Sequence, residues 1–426
     1  MPPAMKIFYG WRMVAAGSGL QFLQAGLMQQ SFGAYVAVLA AERGWSKTAL
    51  SGAAALQSAE TAIIGPLMGW LIDRIGPQRL IQIGVVVFGL GLIGLGFIQS
   101  LIGFYVAVLT IALGTSMCGY FPINVAIIHW FERKRGRALA GSSMGLALGG
   151  LLVPLVAASM LEFGWRATAI GSGLIAIALG VPLSRFFRGR PAELGETIDG
   201  EPPLERSAHA PPVAAPEGVQ DIEFTAREAM RTGAFWLLAL AHGAALLVVT
   251  SVNVHAITHM KEGMGYTVAQ ASLVISLMTV AQIGGVGIGM LVGDRYNKRL
   301  MAAGCMVMHA LGLLMLTWAN GVAMLVGFAV LHGTAWGLRG PFMQAIRADY
   351  FGRRSIGMIM GLSSLIISFG QIAGPLVAGG MADLTGNYRT GFTFLALLAG
   401  AGGMLFVWAR PPGPPQRLRP SAPSPH

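Results

Sequence analysis

The residue of this chain best placed to do chemistry is Arg339. It lies in Ala335-Trp336-Gly337-Leu338-Arg339-Gly340-Pro341, inside a long apolar run and ten residues before Asp349. At about 1.5 Å of helical rise per residue, Arg339 sits roughly 15 Å from the polar end of that run. This is near the middle of a hydrocarbon layer about 30 Å thick. A guanidinium at that depth costs about 2.5–3.5 kcal/mol on insertion scales and is usually found facing a wet cavity or a partner. Two kinds of partner suit it, an anion that enters from solvent or a carboxylate fixed in the protein. Glu60, thirteen residues before Asp73, is the acid at a compatible depth. A permanent Arg339–Glu60 pair is one reading. In the other, Arg339 contacts an anionic substrate and Glu60 carries a proton, so that protonating Glu60 frees the arginine to hold the anion. Glu60 can also be a protonated, hydrogen-bonded acid with no such role.

Further polar groups recur at helical spacing. His332, Trp336 and Arg339 stand at i, i+4 and i+7, and so do Tyr120 with Asn124 at i, i+4. Gln21, Gln24 and Met28 follow i, i+3, i+7, and His242 and Asn253 lie three turns apart. Such groups either hydrogen-bond a small polar solute or bind neighbouring helices to each other. His255 and His259 are four apart but lack a third metal ligand nearby, so no metal site is expected. No Gly-x-x-x-x-Gly-Lys-Ser/Thr loop occurs, which excludes ATP hydrolysis as the energy source. No nucleophile, base and orienting group stand at motif spacing, and neither an enzyme activity nor a cofactor is expected.

The elements that position these residues are apolar and long. Of the residues 54% are hydrophobic and only 11% charged, and the 60 glycines suit close helix packing in lipid, so a soluble core does not explain the chain. Apolar runs long enough to span a bilayer fall at 11–38, 49–72, 78–98, 102–130, 137–160, 166–187, 231–260, 267–293, 299–319, 321–348, 355–382 and 388–409. The expected fold is all-α and integral to a membrane, with twelve transmembrane helices in two six-helix, pseudo-symmetric bundles. The bundles are 1–187 and 231–409; the proline-rich and charged stretch 188–230 is a mostly flexible cytoplasmic linker, and 410–426 is a cytoplasmic tail.

Orientation follows from the cations, because cytoplasmic loops are enriched in Lys and Arg. With both termini inside, only Arg43, Lys47, Arg166, Lys261 and Arg389 fall outside. Arg339 is then alone within the bilayer, and the rest of the 29 lysines and arginines, Lys6, Arg206, Arg347, Arg417 and Arg419 among them, lie on the inner side. The net charge of +11 is spread over short loops and the linker, which fits anionic lipid and not nucleic acid. Cys118 and Cys305 fall inside spans and are expected as free thiols.

The chain also repeats itself at an offset of roughly 221 positions. Gly69-Trp70-Leu71-Ile72-Asp73-Arg74 is echoed by Gly289-Met290-Leu291-Val292-Gly293-Asp294-Arg295, Arg133-Lys134 by Arg353-Arg354, and Pro154 by Pro375. Internal repeats in an apolar chain build many transport folds, with the substrate site at the repeat interface. The paired loops after helices two and eight resemble the signature loops of the major facilitator superfamily, over roughly residues 8–409. Tyr9-Gly10-Trp11, Ser31-Phe32-Gly33, Gly44-Trp45-Ser46 and Ala49-Leu50-Ser51 are similar to the monocarboxylate porter family, including its oxalate/formate branch. The family's usual cations in helices one and eight are absent, which leaves Arg339 as the cation.

The resemblance implies alternating access by two rocking halves around a cavity lined by helices one, four, seven and ten. Asp73, Arg74, Arg133, Asp294, Arg295 and Arg353 then form a latch at the inner ends of the helices, unless those charges only set topology. Gly370, Gly374 and Pro375 in helix eleven read as flexibility. The function expected is secondary active transport of a small organic anion, a monocarboxylate, by proton symport or exchange against a counter-anion. The expected form is a monomer in a bacterial inner membrane. The alternative is a drug or amphipath exporter of the same fold, for which the many methionines and Trp336 would make an adaptable pocket. A non-transporting sensor lacks any soluble output domain.

Overall fold

Glycines and a few capping side chains decide where the apolar runs start and stop. The computed structural model describes residues 8–45, 47–200 and 223–415; Lys6, Ser46, Pro202, Pro203, Arg206, Pro211, Pro212, Pro216, Arg417 and Arg419 lie outside the described residues. In chain order the first half contains α1 (Tyr9–Gln24), a π-helical turn (Ala25–Gln29), α2 (Phe32–Arg43), α3 (Lys47–Ile75), α4 (Pro77–Gly96), α5 (Leu101–Cys118), α6 (Tyr120–Trp130), α7 (Arg135–Leu148) and α8 (Val153–Ser184). The second contains α9 (Ala226–Met230), α10 (Gly233–Met264), α11 (Val268–Val292), α12 (Lys298–Thr317), α13 (Val322–Phe351), α14 (Ile356–Thr385) and α15 (Arg389–Trp408).

Two interruptions depart from the expected spans, and a third falls in the gap expected between 137–160 and 166–187. The run expected as one helix over 11–38 is α1 and α2 joined through the π turn, and Ser31 donates to the carbonyl of Gly26 at 2.6 Å across the break. The fourth pass breaks at Gly119, whose backbone is extended (φ −92, ψ −151), so that α6 restarts at Tyr120. Within α8, Gly164 adopts φ 80 and ψ 156, a conformation that side chains resist, and divides the helix into two passes. Among the described residues nine stretches are long and apolar enough to cross a membrane. One of them, Arg135–Ser184, contains the two passes that meet at Gly164. The α1–α2 run and the 29-residue α3, which are not among the nine, occupy the other two expected spans.

Two hydrophobic cores form. One gathers Leu20, Phe88, Phe104 and Trp130 of the first half, and the other Phe235, Phe328, Phe342 and Phe406 of the second. Large apolar side chains such as Leu161, Phe163, Phe369 and Leu384 face outward, as lipid requires. Where the halves meet, backbone touches backbone. A Cβ on Gly69 would lie 2.4 Å from the carbonyl oxygen of Gly357, and one on Gly136 would lie 2.5 Å from that of Gly293. Both contacts lie at the end of the bundle that carries Arg133, Arg135 and Arg353, here termed the basic end.

The described ends of the 188–230 segment fasten to this basic end. Asp199 accepts from the backbone amides of Glu132, Arg133 and Lys134 at 2.8–3.2 Å. Glu223 accepts from those of Arg353 and Arg354 at 2.6–3.3 Å. The two turns held in this way are repeats of each other.

Candidate functional site

Helix α13 is set by its contact with α11. A Cβ on Gly333 or Gly337 would come within 2.2 or 2.0 Å of the carbonyl oxygens of Met278 and Gln282, so these glycines let the two helices touch. Arg339 follows Gly337 by two residues, about 200° around the helix, and is therefore directed away from α11. Its residue is 1% exposed, and Nε and Nη1 have no hydrogen-bond partner. Tyr120 and Cys305 lie close enough to feel its charge, as do His242, His309 and His332. None of these is a carboxylate.

Glu60 lies elsewhere. It is 9% exposed and accepts from the Ser116 hydroxyl at 3.3 Å on each oxygen, and Arg339 forms no ion pair with it. Tyr120 does reach α13, for its hydroxyl stands 3.7 Å from where a Cβ on Gly340 would be. Asn124 beside it is fully buried, its amide within reach of the Tyr120 hydroxyl but in no hydrogen bond of good geometry. Gln24 donates to Cys118 Sγ at 2.8 Å and Gln21 to Ser142 Oγ at 2.7 Å, so both tie α1 to its neighbours. Asn253 is exposed on α10, and Trp336 packs against the edge of the second core.

His332 turns toward α12, where its Nδ1 lies 3.1 Å from Nδ1 of His309, and the Nε2 atoms of both rings are buried without a partner. One ring must donate and the other accept, so when both are neutral one N–H lies between the two Nδ1 atoms and the accepting ring carries its proton on Nε2. His255 and His259 bond to the carbonyls of Pro375 and Leu316, and among the described residues no group of three potential metal ligands forms.

Of the residues expected to form a latch, the two aspartates sit on helix N-termini. Asp73 accepts from the amides of Gly357 and Met358 at 3.2 and 2.9 Å, at the start of α14 in the opposite half. Asp294 does the same at the start of α7, with Gly136 and Arg137 at 2.7 and 3.1 Å. Free amides and the positive end of a helix dipole favour a carboxylate there. Burial nevertheless pushes the Asp294 carboxyl above its ordinary range, against the two amide bonds that lower it. Arg353 pairs with Glu132 across the halves. Arg133 contributes its backbone amide to Asp199. Arg74 lies over the Trp70 ring at 5.0 Å, and Arg295 is exposed.

Sequence reasoning missed Arg347. Expected at the inner surface, it is instead 1% exposed, so Arg339 is not the one cation within the bundle. Arg347 Nη1 donates to the Met343 carbonyl at 2.9 Å, Nη1 and Nη2 approach Nδ1 of His242 at 3.5 and 3.4 Å, and Nε has no partner. The misleading signal was Asp349, two residues on, whose carboxylate is taken by Arg135 and, at 2.8 Å, by Lys298. Arg135, also expected at the surface, is only 2% exposed.

Two helical bundles are joined at one end by carboxylates on helix N-termini and enclose cations between them. The chain belongs to the Major Facilitator Superfamily, whose model matches residues 18–255 and 238–425. It is therefore a multi-pass membrane protein of a transporter family. Over 370 residues it is 25% identical to the MFS transporter asaE of Aspergillus flavus, covering 85% of this chain and 77% of that one. Over 425 residues it is 26% identical to monocarboxylate transporter 11 of Homo sapiens, covering 94% and 82%. Its fold is similar to that of the fucose:proton symporter FucP of E. coli, with a TM-score of 0.67 at 16% identity over 93% of this chain and 98% of that chain.

Proposed function

We propose that this protein is a secondary active transporter of a small organic anion of the carboxylate class, coupled to a proton or to a counter-anion. The observation that carries the reading is Arg339, enclosed at 1% exposure with Nε and Nη1 unpartnered and no carboxylate beside it. A buried guanidinium in that state is an incomplete ion pair, and the carried anion completes it. Tyr120 and Asn124 supply hydrogen bonds beside it. Likeness to monocarboxylate transporter 11 supports the same class. Two rocking halves expose the site in turn, and the basic end, facing the cytoplasm of a bacterial inner membrane with both termini, is shut by Asp73, Asp294 and the Arg353–Glu132 pair. One chain suffices for this cycle.

The test is uptake of labelled carboxylates into proteoliposomes, with and without an imposed pH gradient, for the wild type and Arg339→Gln. Uptake by the wild type and its loss in Arg339→Gln support the anion reading, and dependence on the gradient identifies the proton as the coupling ion. Export of cationic amphipaths by both proteins, with no carboxylate uptake, overturns it in favour of the exporter.

A further inference from the structure

The second enclosed arginine changes what the site must hold. Arg347 follows Arg339 by eight residues on α13, roughly 12 Å along the axis and about 80° around it, so flexible side chains on adjoining faces can converge. Tyr120 and His242 each lie close enough to feel both guanidinium charges, and the two arginines feel each other. The two therefore belong to one cluster spanning α6, α10 and α13.

The cluster has no counter-charge. Arg347 bonds to a carbonyl and to Nδ1 of His242, both neutral acceptors, and its Nε is unpartnered. Because Nδ1 of His242 accepts, the imidazole proton belongs on Nε2 and the ring is neutral. The nearest acid in sequence, Asp349, is committed to Arg135 and Lys298. Two guanidinium charges thus share an enclosed site that holds no carboxylate among the described residues. Their repeat positions in the first half are Gly119 and Ile127, so the fold's own symmetry does not call for either.

We infer that the anion carried is divalent, a small organic molecule with two anionic groups on a short carbon spacer, one held by Arg339 and the other by Arg347. This rests on the anion reading above and sharpens it, since a monocarboxylate would leave one arginine uncompensated where water is excluded. A planar guanidinium with free N–H groups suits a bidentate carboxylate at each end. Tyr120 lies beside both and is placed to donate its hydroxyl to either carboxylate.

The experiment is a thermal-shift titration of the purified full chain with malonate, succinate, glutarate and butyrate at pH 7, where the dicarboxylates are doubly ionised. Three proteins are compared: the wild type, Arg339→Gln and Arg347→Gln. A bound ligand shifts the melting curve in proportion to the logarithm of its concentration over Kd. The expected result is that at least one dicarboxylate acts at tenfold or more lower concentration than butyrate on the wild type. Arg347→Gln brings the ratio between that dicarboxylate and butyrate close to one, and Arg339→Gln removes the dicarboxylate response.

Equal wild-type responses to butyrate and every dicarboxylate, all lost in Arg339→Gln, overturn the divalent ligand and leave the anion reading intact. No response to any of the four acids overturns both. If Arg347→Gln does not fold, the wild-type ratio still decides, and Arg347→Lys, which keeps the charge and loses the fork, is expected to retain part of the dicarboxylate preference.

Discussion

The basic end and the core of this protein treat a buried arginine in opposite ways. At the basic end Arg135 is 2% exposed, and it meets the carboxylate of Asp349, while Arg353 meets Glu132. In the core Arg339 and Arg347 are equally enclosed and meet no acid. The same chain pairs its arginines where only architecture is at stake. The two left unpaired are the ones that the proposed anion would complete.

The contrast breaks most visibly in stability. Asp349→Asn leaves Arg135 without its partner and is expected to cost about 2–4 kcal/mol, below the roughly 3–5 for breaking a fully buried pair because Asp349 is 31% exposed, read as a lowered unfolding midpoint. Arg339→Met has no partner to orphan, and in the absence of anion it is expected to leave the midpoint unchanged or to raise it by about 1–2 kcal/mol, the sign seen when buried ions give way to apolar groups. A fall in stability equal to that of Asp349→Asn would mean that Arg339 is structurally paired after all. Its effect on binding is separate. Loss of charged hydrogen bonds of about 1.5–3 kcal/mol weakens anion affinity by roughly 10- to 150-fold.

Smaller effects sharpen the basic end itself. Gly69→Ala sets a Cβ 2.4 Å from the Gly357 carbonyl, so the halves must separate there. The expected outcome is faster labelling of a cysteine introduced by Ala140→Cys, which is buried when this end is closed. Asp199→Ala frees the amides of residues 132–134 and should lower stability by about 1 kcal/mol, the net value of ordinary hydrogen bonds.

The smallest effect is that of pH on Asp294. Its carboxyl is raised above the ordinary 3.8 by burial in the closed state. A raised acid favours closure below its ordinary value and loses that contribution as pH rises through the raised one. Closure therefore weakens from acid toward neutral pH, and Asp294→Asn should flatten the labelling profile.

Much of the fold was legible because hydrophobic length and the repeat are read directly from residue types. The breaks were less so. Gly119 sits in a run whose apolar character never falters, and nothing in residue type separates its extended backbone from the helical glycines around it. Arg339 stood out because no acid neighbours it in sequence. Arg347 did not, because Asp349 nearby offered a partner that the three-dimensional arrangement gives to Arg135 and Lys298. His332 was placed on the face of Arg339 by its spacing, but helical spacing does not reveal that His309 on α12 stands opposite it. Asp73 and Asp294 were found as charges, whereas their partners are backbone amides, which carry no sequence signature.

The fastenings of the linker bear on the ancestry of the molecule. Asp199 closes a turn of the first half and Glu223 closes the corresponding turn of the second, so each half brings its own finished cap to the join. Two separate copies of an ancestral gene product could have been complete at this end before they shared a chain, and their fusion had only to supply a spacer.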